Sequence, residues 1–431
     1  MKKLLSMLLA LVMVFSMVAC SKDQGNNETP DDKPSTSAPT ENNEQTPNED
    51  EKEEVKLDPY KIAVAFTQIN ATALAQQEYL EKYIGPAFNV EFMFSEAVDS
   101  AEVAMTFLEN AYAAGCQAVM NFQNSSVEQI NAKANELGMY IISNAPPAEN
   151  ADLPYVLGSM RAPVSGVADA YTEMVNQFTA DGKAHNVVII SAGAGLGNAQ
   201  HYECTYAMLE ALQAKYNLTY SDSVENLASS RGMTQVETGT DMKILLYPGY
   251  PNSDTYVSGL SAELQTGEYD VVLGCNAATT KFAVAIDEVE RAYDINVKVG
   301  YFTSIDDAAT AAVTTKDVHG TASVDSIVIN PGNILVGGMF AVLYNGVSGH
   351  ADAMKTDGAG TDFSIPLWLA TDAETYLKLA GLNVSAETLE MSVEDIQEML
   401  CIYNAGTTAA SAQEKILSLT AEGVLTARGL K

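Results

Sequence analysis

The residues able to do chemistry in this 431-residue chain are spread along it, and they recur in one kind of place. Amide, hydroxyl and aromatic side chains follow short apolar runs, at Phe66-Thr67-Gln68, Ser95, Asn121-Phe122-Gln123, Asn144, Ser191, Tyr247, Cys275-Asn276 and Phe302-Thr303. Asn and Gln offer a donor and an acceptor at once, which suits sugar hydroxyls or a nucleobase edge, and aromatic faces stack on either. The same residue types also cap helices, so each position has a purely structural alternative.

Catalytic patterns are missing. There is no G-x-S-x-G, no H-E-x-x-H and no C-x-x-C. His185, His201, His319 and His350 have no ligand spacing, so neither a metal site nor a cofactor is expected. Gly193-Ala-Gly195-Leu-Gly197 follows an apolar run, but its spacing departs from the dinucleotide fingerprint and it has no phosphate-loop lysine. It reads as a tight turn.

The elements that must position these groups alternate. Strand-like runs at 61–66, 90–94, 117–122, 139–142 and 155–157 alternate with helix-like stretches, and a second series has runs at 186–190, 243–247, 269–273 and 297–301. Near-continuous apolar runs imply strands covered on both faces, hence parallel sheets wound on both sides by helices. Further on, 321–324 reads as a strand, Gly332 to Tyr344 as a helix and Ile365 to Ala370 as a strand, while residues 381–431 read mostly helical with no assignable role. In such sheets ligands bind at the carboxyl ends of strands, where the polar residues lie.

Composition narrows the partners. Fifty-six acidic residues against 23 basic ones give a net charge of −33, which repels nucleic-acid backbones and anionic headgroups. At 47% hydrophobic residues the chain has ample material for packed cores.

The N-terminus carries the strongest local signal. Lys2 and Lys3 precede an apolar run from Leu4 to Val18, too short for a membrane span, that ends Met17-Val18-Ala19-Cys20. This resembles the lipobox of bacterial lipoproteins, which implies cleavage before Cys20 and acylation of its sulfur. Residues 21–57 are rich in Pro, Asn, Ser, Thr and Glu, with almost nothing to bury, and read as a disordered acidic tether.

Lipobox, tether and two α/β series together resemble a solute-binding lipoprotein of a bacterial ABC importer, with the type I periplasmic-binding-protein fold of the ribose-binding and LacI-like group. The resemblance spans roughly Asp58 to Thr371. It implies two doubly wound parallel-sheet lobes joined by a three-segment hinge: 58–162 plus 326–350 for the N-terminal lobe, 163–325 plus 362–380 for the C-terminal lobe, and 381–431 as a helical extension. The implied crossings fall near Met160–Val164, Asp325–Asn330 and Gly349–Asp362, with Arg161 at the first as a cleft cation and Asp325 at the second as a polar contact. The ligand-binding set is then Phe66, Thr67, Gln68, Asn121, Phe122, Asn144, Arg161, Tyr247, Asn276 and Asp325. Sugar binders of this group carry Asn-Asp where this chain has Asn276-Ala277, and an Arg on the first helix of the second lobe where 200–205 has none. The implied function is capture of a small polar solute, a sugar first and a nucleoside next, for ABC permease transmembrane subunits. The protein would be a monomer and not an enzyme, lipid-anchored on the extracytoplasmic face of the cell membrane. A ligand-sensing receptor subunit and an exported enzyme are the alternatives.

Overall fold

The computed structural model describes residues 55–191, 199–249 and 254–431. Cys20, the tether up to residue 54 and the Gly193–Gly197 turn lie outside the described residues. Eleven strands come first in the chain: β1 (Tyr60–Ala65), β2 (Val90–Phe94), β3 (Ala118–Asn121), β4 (Tyr140–Ser143), β5 (Val156–Arg161), β6 (Val187–Ser191), β7 (Thr234–Val236), β8 (Ile244–Pro248), β9 (Val271–Gly274), β10 (Lys298–Thr303) and β11 (Ser326–Ile329). β12 (Lys355–Thr356), β13 (Ala359–Ser364) and β14 (Trp368–Ala370) complete them.

They form two sheets, ordered β12-β13-β5-β4-β3-β1-β2 and β14-β11-β10-β9-β6-β8-β7. All pairings between β1 and β5, and those joining β6, β8, β9, β10 and β11, are parallel. Apart from the edge strand β2, most of their residues are buried, as fully covered strands require. Helices start where polar side chains satisfy free backbone N–H groups: Asn70 accepts from Ala73 N, and Asp306 from Ala309 N. The architecture is two α/β lobes of the type I periplasmic-binding-protein fold.

The chain passes between the sheets three times, at 162–163, 330–331 and 365–367. The second comes later than expected, because the strand of this region is Ser326–Ile329 rather than 321–324. It pairs with β10 and β14, so 326–329 belongs to the second sheet. The third is also later. Residues 355–364 stay on the first sheet as a hairpin, turning at Asp357 and Gly358 (φ 53° and 83°), whose second strand runs parallel to β5. Gly158 makes this pairing possible: its φ is +121°, and a Cβ there would lie 1.9 Å from Thr361 O.

The helix Gly332–Asn345 is buried from Asn333 to its end and packs under β3, β4 and β5. The apolar stretch from Gly332 to Met354 is long enough to cross a membrane, but 72% of its most apolar window is buried inside the body, as in a core helix.

Candidate functional site

Carboxyl ends of strands from both sheets face a common cavity of about 390 Å³. From the first lobe, Phe66 follows β1, held by its backbone N–H donating to Ser95 Oγ at 3.0 Å. Its ring lies 5.0 Å from that of Phe122, which follows β3, and 6.2 Å from Phe94 in a parallel stack. Thr67 and Gln68 continue the rim, and Asn144 after β4 is steered by Nδ2 donating to Met160 O at 2.9 Å. From the second lobe come Cys275 and Asn276 after β9, Phe302 and Thr303 at the carboxyl end of β10, and Gln200 and His201 on helix Ala199–Tyr216.

The second crossing contributes Asn330, whose backbone N–H donates to Thr303 O at 2.8 Å and whose Oδ1 is buried with no protein partner. Gln76, on helix Ala71–Tyr79, donates from Nε2 to Gly332 O at 3.1 Å and ties that helix to the crossing.

The lining is polar but almost uncharged. His201 and Asp306 are its only His, Asp, Glu, Lys or Arg among the described residues. Burial pushes the His201 imidazole down to about 4, so it is neutral at pH 7 and presents one donor and one acceptor. Asp306 is engaged as the cap of helix Asp307–Thr314. Such a lining suits an uncharged, hydroxyl-rich or amide-like ligand. Among the described residues it offers no lysine or arginine to a phosphate or carboxylate. Among the described residues no cluster of three His, Cys, Asp or Glu has the geometry to hold a metal ion.

The structure gathers Phe66, Thr67, Gln68, Phe122, Asn144 and Asn276 around this cavity and places the other four elsewhere. Asn121 is fully buried and spends its amide inside the first lobe, donating to Gln123 O and Ser143 Oγ and accepting from Gln123 N. Tyr247 lies on β8, two strands from β9 with β6 between, and turns under the adjoining helix to donate to Tyr256 O at 3.0 Å. Asp325 stands at the amino end of β11, the end away from the cavity, where it accepts from Val299 N and faces Lys298. Arg161 lines a side recess with Asn144 and Gln200, and its charge is taken by Glu203. Sequence reasoning missed His201, Gln200, Ser304 and Asn330. Asn330 was within reach of the strand-end rule once β11 is placed at 326–329. His201 was considered only as a metal ligand.

No family profile and no curated protein matches the sequence. Solved structures do match. An ABC transporter solute-binding protein from Bacillus halodurans with bound myo-inositol aligns with a TM-score of 0.53 at 16% identity, over 75% of this chain and 98% of its own. A periplasmic solute-binding protein from Actinobacillus succinogenes with bound D-allose gives 0.54 at 14%, over 74% and 99%. One from Burkholderia graminis with D-arabinose gives 0.52 at 12%, over 73% and 96%. At such identities the likeness is one of fold: this chain folds as the type I periplasmic binding proteins do.

Proposed function

We propose that the chain is an extracytoplasmic solute-binding lipoprotein that captures a neutral, hydroxyl-rich small molecule, a sugar or polyol, between its lobes and delivers it to an ABC permease. The observation that carries this is the cavity at the carboxyl ends of both sheets, with a Phe66–Phe122 aromatic wall facing Asn276, His201 and Asn330. A ring stacked on the aromatic wall leaves its hydroxyls for the amides opposite. Because the contacts come from both lobes and a crossing, a ligand favours the arrangement in which all are made, and the three crossings are the hinge that reaches it. The sugar and polyol ligands of the fold neighbours support the ligand class. The lipobox at Cys20 supports anchoring: Cys20→Ser should move the protein from washed membranes to the soluble fraction. Native mass spectrometry of protein purified without refolding tests the reading. A retained neutral mass of sugar or polyol size supports it, and a retained anion opposes it.

A further inference from the structure

The C-terminal residues 381–431, to which the sequence assigned no role, are fastened to both lobes. On the first, Tyr79 Oη donates to Met391 O at 2.8 Å, and Asn345 holds this segment by donating to Met399 O and accepting from Cys401 N, both at 2.8 Å. Gly337 permits the approach, since a Cβ there would lie 2.5 Å from Met391 Sδ. At the third crossing Gln413 exchanges two hydrogen bonds with the backbone of Ser364, at 2.7 and 2.8 Å. On the second lobe, Trp368 Nε1 donates to Leu419 O at 2.9 Å.

A second cavity, of about 330 Å³, opens where this segment meets both lobes. Helix Ala71–Tyr79 forms one wall, the Ser304–Asp307 turn another, and Leu382, Asn383, Leu389 and Glu390 the third. It shares Thr72, Gln76, Ser304, Asp306 and Gly332 with the main cavity, so the two abut across these residues. Tyr83 offers a partly buried ring, Asn383 an amide, and Glu78 and Asp307 carboxylates able to accept from hydroxyls. No Lys, Arg or His lines it. Each cavity is near the lower bound of the roughly 300–1,000 Å³ usual for small-ligand sites, enough for about one ring apiece.

We propose that the second cavity is a compartment of the same binding site, created by the C-terminal segment, and that it takes the second ring of a neutral disaccharide whose first ring occupies the main cavity. This rests on the proposed function and deepens it. One ring lies against Phe66 and Phe122, the glycosidic oxygen passes between Thr72 and Ser304, and the other ring sits against Tyr83.

The test is calorimetric titration of the full-length chain with D-glucose, D-galactose and D-xylose against maltose, cellobiose, lactose and xylobiose. At least one disaccharide should bind about tenfold or more tightly than its component monosaccharides. Ala75 is exposed on helix Ala71–Tyr79 and lines only the second cavity, so Ala75→Trp fills the compartment at no cost to the core. It should abolish the disaccharide advantage and leave monosaccharide affinity within about twofold, while Ala75→Ser keeps the advantage. Two results would overturn the compartment and leave the sugar-binding reading standing: monosaccharides binding as tightly as every disaccharide, or a disaccharide advantage that survives Ala75→Trp. Binding by none of these sugars would overturn the disaccharide compartment as well.

Discussion

Arg161, at the end of β5 in the first lobe, donates through Nη1 to both carboxylate oxygens of Glu203, at 2.8 and 3.1 Å. Glu203 sits on helix Ala199–Tyr216 of the second lobe, so the ion pair joins the lobes beside the first crossing. The side chains are only 20% and 13% exposed, which places the pair between the near-worthless surface bridge and the buried one whose rupture is costly. Arg161 lines a recess that shares Asn144 and Gln200 with the main cavity, and Glu203 compensates its charge there.

A double-mutant cycle on this pair, Arg161→Met with Glu203→Gln, should give a coupling of about 1–2 kcal/mol in urea unfolding, with either single change costing about 1–3 kcal/mol. Coupling near zero would show the two groups to be solvated independently.

Asn276 and Asn121 make a contrasting pair. Asn276→Ala should weaken ligand binding about tenfold or more and leave ligand-free stability within about 1 kcal/mol, since it lines the cavity. Asn121→Ala should cost about 1–3 kcal/mol without ligand, because Ser143 and the Gln123 backbone lose buried partners. Thermal unfolding and titration of both variants check this, and the reverse pattern would exchange their roles.

Two buried groups give the stability curve opposing slopes. Burial raises Glu390 to about 6 although Asn333 N and Asn383 Nδ2 donate to it, so the folded form holds its proton longer than the unfolded chain. Its contribution is full below about pH 4.5 and is lost as pH rises through about 6. His201, lowered to about 4, resists protonation, and its contribution is full above about pH 6.5 and lost as pH falls towards 4. The contribution is about 2 kcal/mol for Glu390 and about 3 kcal/mol for His201. Between about pH 4.5 and 6 the two slopes nearly cancel, so His201→Gln should leave a stability loss as pH rises through that range and Glu390→Gln a gain. Urea unfolding across that range checks both, and variant curves parallel to the unchanged protein would contradict the assignment.

The parallel strands were legible because burial on both faces leaves little but apolar residues in them: β1, β6, β8 and β9 stand out as runs. The strand-end rule then led to Phe66, Phe122, Asn144 and Asn276, which line the cavity. It failed at Asn121 and Tyr247, because a polar group at a strand end satisfies itself inside its lobe when a neighbour such as Ser143 or the Tyr256 backbone lies within reach. The late crossings were hidden for another reason. β13 is not apolar, reading Ala-Gly-Thr-Asp-Phe-Ser, and only the Asp357-Gly358 turn signals it. The placement of 381–431 rests on hydrogen bonds to residues far away in sequence, such as Tyr79–Met391, which no local pattern encodes.

The central claim is that the cavity between the lobes binds a neutral polar solute. Thermal unfolding against a panel of neutral sugars, polyols and nucleosides, with sugar acids and sugar phosphates alongside, tests it most directly. At about 100 times the dissociation constant a ligand adds about 2.7 kcal/mol, which for a body of this size is a rise of several degrees. The account predicts such a rise for at least one neutral compound, lost in Asn276→Ala. A rise confined to the phosphates or acids, or no rise across the whole panel, would contradict it.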